Sequence, residues 1–226
     1  MSLNKKLFAG EPGPSDLDPL GDGSQQYFYK LQTSSFTDEM GNGNAGGAVG
    51  TAAAFYSGGP KGTYCQFNTN AGREGLFLVN NTSAWSFTIY FLAKSIPSTG
   101  YLAGVAGTMG SSSPFNGSAI IIDSPYLSAG SQGSVHGYTN AKFSVSTFTW
   151  YHLSLTYNGS GTMKLYKNGS IVGSSFSSTP SGSTEFWLNN GAGPTSWERR
   201  DCRYQWLRWF NKELSATEVS NIYNNW

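Results

Sequence analysis

Catalysis by side chains needs partners within reach, and the titratable residues of this chain are spread thin. Its seven glutamates stand at 11, 39, 74, 185, 198, 213 and 218. Acid/base work on a glycosidic bond needs two carboxyl groups flanking one atom, and only Glu185 and Glu198 remain as a pair that folding could bring together. His136 lies in a Gly-rich stretch and His152 in an apolar run, neither beside a nucleophile motif, so both are expected to be structural. Cys65 and Cys202 are too few for a disulfide framework or a zinc site and are expected as buried thiols, with a disulfide between them as the alternative. The segment GNGNAGGAVG (41–50) lacks the Lys-Ser/Thr of a phosphate-cradling loop. Binding chemistry is better represented. A sugar ring wants an aromatic face flanked by hydroxyl-bonding loops, and Trp187, Trp197, Tyr138 and Tyr126 lie near Asn- and Ser-rich turns. These four are the candidate carbohydrate-binding residues, with Trp197 in GAGPTSWERR expected to be the most exposed. No catalytic, metal or cofactor set emerges.

Charge narrows the partners further. The 226 residues carry a net charge of +1, and the densest basic cluster, Arg199, Arg200 and Arg203, is too small to track a phosphate backbone. Nucleic acid is not expected. No run approaches the roughly 18 apolar residues of a membrane span. The opening MSLNKKLFAGEPGP has no apolar core of a signal peptide, so export through a leader is not expected either. The five Asn-X-Ser/Thr triplets, at 80, 81, 116, 158 and 168, are what a chain rich in Asn, Gly and Ser produces by chance.

The elements that must position these side chains are strands. With 29 glycines, 15 % aromatic and 12 % charged residues, the chain reads as one β-rich domain with short strands bounded by turn residues. The segment WYHLSLTYNGSGTMKLYKNGSIVG (150–173) is a β-meander. In its first strand Tyr151, Leu153, Leu155 and Tyr157 alternate with Trp150, His152, Ser154 and Thr156. Asn168-Gly169 suits a two-residue type I′ turn, which needs positive φ at both positions. Trp150 is expected in the core. SFTIYFLAK and RYQWLRWF are apolar on both faces, with Phe87, Ile89 and Phe91 opposite Tyr90 and Leu92, and Trp206 and Phe210 opposite Leu207 and Trp209. Loops, a terminal helix or neighbouring subunits must cover their outer sides. That helix is predicted from Ser215 onward. Ser215 and Glu218 form a capping box, Leu214 and Val219 a hydrophobic staple, and Val219, Ile222, Tyr223 and Trp226 one apolar stripe. Residues 1–26, with three prolines, read as an extended arm ahead of a domain at 27–226, and Leu3, Leu7, Phe8, Leu17 and Leu20 as its docking anchors.

Three motifs in this order resemble the laminin G-like branch of the concanavalin A-like lectin/glucanase superfamily. The first is Trp150, His152, Thr156 and Tyr157; the second is Leu165, Tyr166, Asn168 and Gly169. The third runs through Arg208, Phe210, Asn211, Lys212, Leu214, Ser215, Glu218, Val219 and Tyr223. The resemblance implies an all-β fold: a two-sheet antiparallel jelly-roll sandwich, here with a short C-terminal helix and an extended N-terminal arm. Where such proteins usually carry an Asp-Glu pair, this chain has Gln205 and Trp206, which puts family-type calcium binding in doubt. Asp123 and Asp201 alone fall short of the six to eight oxygens that calcium takes. Glycosidases of this fold place carboxylates as E-x-D-x-x-E on one strand, and that pattern is absent.

The resulting expectation is a non-enzymatic bacteriophage virion structural protein of capsid-decoration, knob or tail-fibre type, made in the host cytoplasm. It displays a lectin-like jelly roll and is attached by its arm. NKKLFAGEPGP resembles the starts of marine phage structural proteins. Its expected partners are other virion proteins, further copies of itself and a host-surface glycan. A secreted or surface carbohydrate-binding module is the alternative, and a glycoside hydrolase a third reading.

Overall fold

Short apolar runs punctuated by Gly, Asn and Pro fold here as antiparallel strands. The computed structural model describes residues 17–50, 53–68, 71–96, 102–109, 118–123, 125–131, 141–177, 180, 183–189 and 201–225. In chain order its strands begin with β1 (Gln25–Tyr29), β2 (Gly47–Gly50), β3 (Ala54–Gly59), β4 (Gly62–Phe67), β5 (Ala71–Glu74) and β6 (Leu78–Asn80). They continue with β7 (Trp85–Ala93), β8 (Leu102–Met109), β9 (Ser118–Asp123), β10 (Tyr126–Ser131), β11 (Lys142–Ser144) and β12 (Trp150–Tyr157). The last are β13 (Thr162–Lys167), β14 (Ser170–Ile171), β15 (Phe176–Ser177), β16 (Ser183–Leu188) and β17 (Cys202–Phe210), before helix α1 (Ala216–Asn225).

Among the described residues these strands form two sheets. The first has the order β14-β13-β12-β7-β17-β4-β3, with β1 beside β17 and β15 beside β13. The second has the order β11-β10-β9-β8-β16-β5-β2, with β6 beside β16. Inward side chains of both sheets meet in one aromatic core. Tyr27 stacks on Phe77 at 4.1 Å, Phe77 on Phe186 at 4.9 Å, and Trp85 on Trp209 at 4.9 Å, while Phe186 of the second sheet meets Phe87 of the first at 5.1 Å. Offset and edge-on rings at such separations add to the burial that drives the two sheets together.

The meander forms as its sequence requires. Asn168 and Gly169 take φ of 50° and 79° between β13 and β14, and the Asn168 side chain accepts the His152 N–H at 2.9 Å. Tyr151, Leu153, Leu155 and Tyr157 face the core. Trp150 does not. It is half-buried on the opposite parity, at the start of β12 and on the outer face of the first sheet, so its expected place in the core is corrected.

The outer side of β7 is nevertheless buried along its whole length, and part of the cover is α1. Tyr166, Phe210, Leu214, Val219 and Ile222 make a second apolar cluster there. The capping box closes as predicted, Ser215 N–H reaching Glu218 Oε2 at 2.7 Å and Glu218 N–H reaching Ser215 Oγ at 3.3 Å. Beneath them β7 and β12 present Ser86, Thr88, Ser154 and Thr156, all buried. Such small side chains leave room for a second layer above the sheet.

Leu3, Leu7 and Phe8 lie outside the described residues. So do all of residues 1–16, whereas the described part of the segment assigned to the arm, 17–26, rests on the sandwich. Asp18 accepts the N–H groups of Gly21 and Gly23, Leu20 packs on the cluster under α1, and Asn211 N–H donates to the Ser24 carbonyl. Gln25 likewise opens β1 beside β17, and its side chain bonds Arg208. Leu17 is half exposed.

Candidate functional site

Strand pairing decides which side chains share the uncovered part of the first sheet's outer face. Trp150 of β12 pairs with Leu92 of β7, Leu92 with Arg203 of β17, and Arg203 with Gln66 of β4. Tyr64, two residues before Gln66 on the same face, pairs with Tyr56 of β3. The rings touch: Tyr56 and Tyr64 centroids are 5.8 Å apart, and Tyr64 meets Trp150 edge-on at 5.6 Å. Tyr64 itself is buried, whereas Tyr56 is 48 % exposed. The Arg203 guanidinium lies 4.8 Å from the Tyr64 centroid, held there by a 3.1 Å bond from its Nε to Gln66 Oε1. Tyr56, Tyr64, Trp150, Arg203 and Gln66 thus form an aromatic floor with polar groups along it.

The hairpin that carries the two tyrosines is held by Gln205. Its Oε1 accepts the Lys61 N–H at 2.8 Å and its Nε2 donates to the Thr63 carbonyl at 2.7 Å. Gly59 permits this approach, since a Cβ there would stand 3.0 Å from Gln205 Oε1. The residue that replaces a carboxylate in the sequence motif is therefore a buried backbone clamp. Beside it Lys61 Nζ lies 5.7 Å from the Tyr90 ring and 5.3 Å from the Trp206 ring. Further along β17, Arg208 is buried between Phe28 at 3.9 Å and Trp206 at 5.1 Å, with Nη1 bonded to Gln25.

The two described aromatic residues chosen from sequence, Trp187 and Tyr126, lie elsewhere. Trp197 and Tyr138 fall outside the described residues. Trp187 and Tyr126 both sit on the outer face of the second sheet, but β9 and β8 lie between β10 and β16, so about 14 Å of sheet separates them. One sugar ring cannot touch both. Trp187 donates Nε1–H to Glu185 at 3.3 Å, and the Tyr126 ring has the Lys142 ammonium 4.7 Å from its centroid. The floor around Trp150 was missed because Trp150 was assigned to the core. The parity it shares with His152, Ser154 and Thr156 was the available signal.

The other chemistry-bearing residues are placed as follows. His152 is buried under Tyr223, and burial, with the Arg208 and Lys61 charges adding to it, lowers its pKa to about 3. Cys65 and Cys202 are buried thiols on neighbouring strands, without a disulfide between them. Glu39, Glu213 and Glu218 pair with Lys30, Lys164 and Lys212. Asp123 ends β9 of the second sheet and Asp201 directly precedes β17 of the first, and among the described residues no three His, Cys, Asp or Glu side chains gather as metal ligands would. No described helix is long and apolar enough to cross a membrane.

Comparison with known proteins gives this architecture relatives. No curated protein matches the chain. Among solved structures, domain 4 of AbnA, an extracellular arabinanase of Geobacillus stearothermophilus solved with arabinotriose, superposes with a TM-score of 0.64. It is 17 % identical, over 89 % of this chain and 98 % of that one. The binding domain of Paraclostridial Mosquitocidal Protein 1 gives 0.64 at 13 % identity, over 89 % of this chain and 52 % of that one. The Trypanosoma rangeli sialidase bound to sialic acid gives 0.69 at 11 %, over 88 % of this chain and 32 % of that one. The chain thus spans about half of the second and a third of the third. Likeness at such identities is likeness of fold. A profile of the concanavalin A-like lectin/glucanases superfamily, of laminin G type, matches residues 61–220. That span covers β4 to β17, drawn from both sheets, with the Gln205 clamp and the capping box, and the chain belongs to this superfamily as a lectin-like jelly-roll domain.

Proposed function

We propose that the domain is a non-enzymatic carbohydrate-binding module whose site is the aromatic floor on the outer face of the first sheet. The observation that carries this reading is Trp150. A large indole is kept only partly buried at a strand end, braced edge-on by Tyr64, with Tyr56, Gln66 and Arg203 beside it. Stacking on such a ring, with hydroxyls bonded by neighbouring amides, is how proteins hold sugars without acting on them. The arabinotriose held by the arabinanase domain is in keeping with this use of the fold. In a glycan array followed by titration of the best ligand, Trp150→Ala should weaken binding about three- to tenfold. Retention of no glycan, or equal binding by Trp150→Ala and Tyr56→Ala, would remove the assignment.

The setting we propose is the virion, with residues 1–16 joining the module to other virion proteins or further copies of itself. The sequence of that segment suggests it. The docked residues 17–24 support it, because they lie at the Phe210 end of β17 while Arg203 and the aromatic floor lie at the other, about 20 Å away. Attachment and binding would not compete. Deleting residues 1–16 should leave a folded sandwich that no longer enters particles. Mass spectrometry of purified particles and of the culture medium reads the outcome, and finding the full-length protein only in the medium would favour a secreted module instead.

A further inference from the structure

We infer that the sugar taken by this site is an acidic one, bearing a carboxylate or sulfate that Arg203 receives; the inference rests on the carbohydrate reading of the same floor. Arg203 is oriented before any ligand arrives. One face of its guanidinium lies on Tyr64 and its Nε is taken by Gln66. Neither contact uses the two terminal amino groups, and among the described residues Arg203 forms no salt bridge. A planar fork held on an aromatic ring with its tips available is the arrangement that receives a carboxylate or sulfate through two parallel N–H donors.

The surroundings favour the same sign of charge. Lys61 holds its ammonium over Tyr90, the cross-strand partner of Gln205, and Gln205 stands two residues from Arg203 on the same strand. Lys61 thus adds a second positive charge to this side of the sheet, over Tyr90 and Trp206. Both charges favour an anionic ligand over a neutral one. A pyranose carrying an anion would stack on Trp150 and Tyr56 with its charged substituent toward Arg203.

Calorimetric titration with trigalacturonate, galactotriose and a sulfated κ-carrageenan tetrasaccharide separates the possibilities. Either acidic probe should bind about tenfold more tightly than galactotriose at low salt, with the advantage shrinking as salt is raised; which of the two binds identifies the anion. Arg203→Gln should bring the acidic ligand down to the level at which the same variant binds galactotriose, and an unshifted thermal unfolding midpoint shows that the variant is folded. Arg203→Lys should restore only part of the preference, since it keeps the charge but not the fork. Equal affinity of wild type for acidic and neutral sugars, or an undiminished preference in Arg203→Gln, overturns the inference and leaves the carbohydrate reading standing. Failure of every sugar to bind wild type overturns both.

Discussion

His152 lies between Tyr90 and Tyr223, ring centroids 4.9 and 5.6 Å away, with Nδ1 unpartnered. A charge there would be desolvated, which is why burial carries its pKa from 6.5 down to about 3, helped by Arg208 and Lys61. In the unfolded chain the ring takes its proton near 6.5, while the folded protein refuses it until about 3. The unfolded state binds more protons throughout that window, so stability falls as pH drops through it, by up to about 1.4 kcal/mol per unit. Other groups titrate there too, and the comparison that isolates His152 is wild type against His152→Phe in urea unfolding. The wild type should lose stability more steeply from pH 6 to 4; parallel curves would mean that the folded imidazole is protonated more easily than its surroundings imply. Gln205 shows the same preference for neutral groups at this depth. Both ends of its amide are satisfied by the β3–β4 hairpin, and a carboxylate there could not donate to the Thr63 carbonyl.

Among the elements, β17 departs most from simple alternation. Cys202 and Tyr204 face the core, and unbroken alternation would send Trp206 after them. Trp206 instead takes φ of 53°, the register with β7 shifts between Gln205 and Arg208, and Leu207 and Trp209 face inward. The same point is where β17 exchanges β4 for β1 as its neighbour. The apolar pattern of RYQWLRWF showed which residues oppose each other near its end, but the bulge is a tertiary event with no local residue to announce it. By contrast the meander, the Asn168-Gly169 turn and the α1 cap were legible, because each rests on contacts a few residues apart. Trp150 was misplaced since an outer-face aromatic and a core aromatic share one composition, and only the strand parity separates them. Gly169 offers a test at this scale. A Cβ there would meet Tyr223 Cδ1 at 3.0 Å and Ser220 Cα at 3.3 Å, in a residue already at φ of 79°. Gly169→Ala should cost about 1–3 kcal/mol by chemical denaturation and raise amide exchange in α1. An unperturbed helix would show that the turn does not support α1.

Over the whole molecule the two sheets are joined by rings, and the two ends of the described chain are joined by one lysine. Lys212, just after β17, bonds both Asp22 of the N-terminal segment and Glu218 of α1. Burial alone would raise the Asp22 pKa, yet its hydrogen bonds to Lys212 and Ser24 bring it down to about 2. Being surface pairs, they are expected to contribute about 1 kcal/mol or less each. Lys212→Met should therefore barely move the unfolding midpoint while exposing residues 17–24 to proteolysis first; simultaneous cleavage across the sandwich would argue against a local clasp. The clasp also bears on how the fold can be rewired. With Asp22 and Glu218 gathered on one side chain, a short linker from the end of α1 to Leu17 would close the chain into a ring, and fresh ends could be opened at the Asn158–Gly161 turn. A circular permutant of that kind would keep both sheets, and the four strands that carry the aromatic floor would each remain uncut.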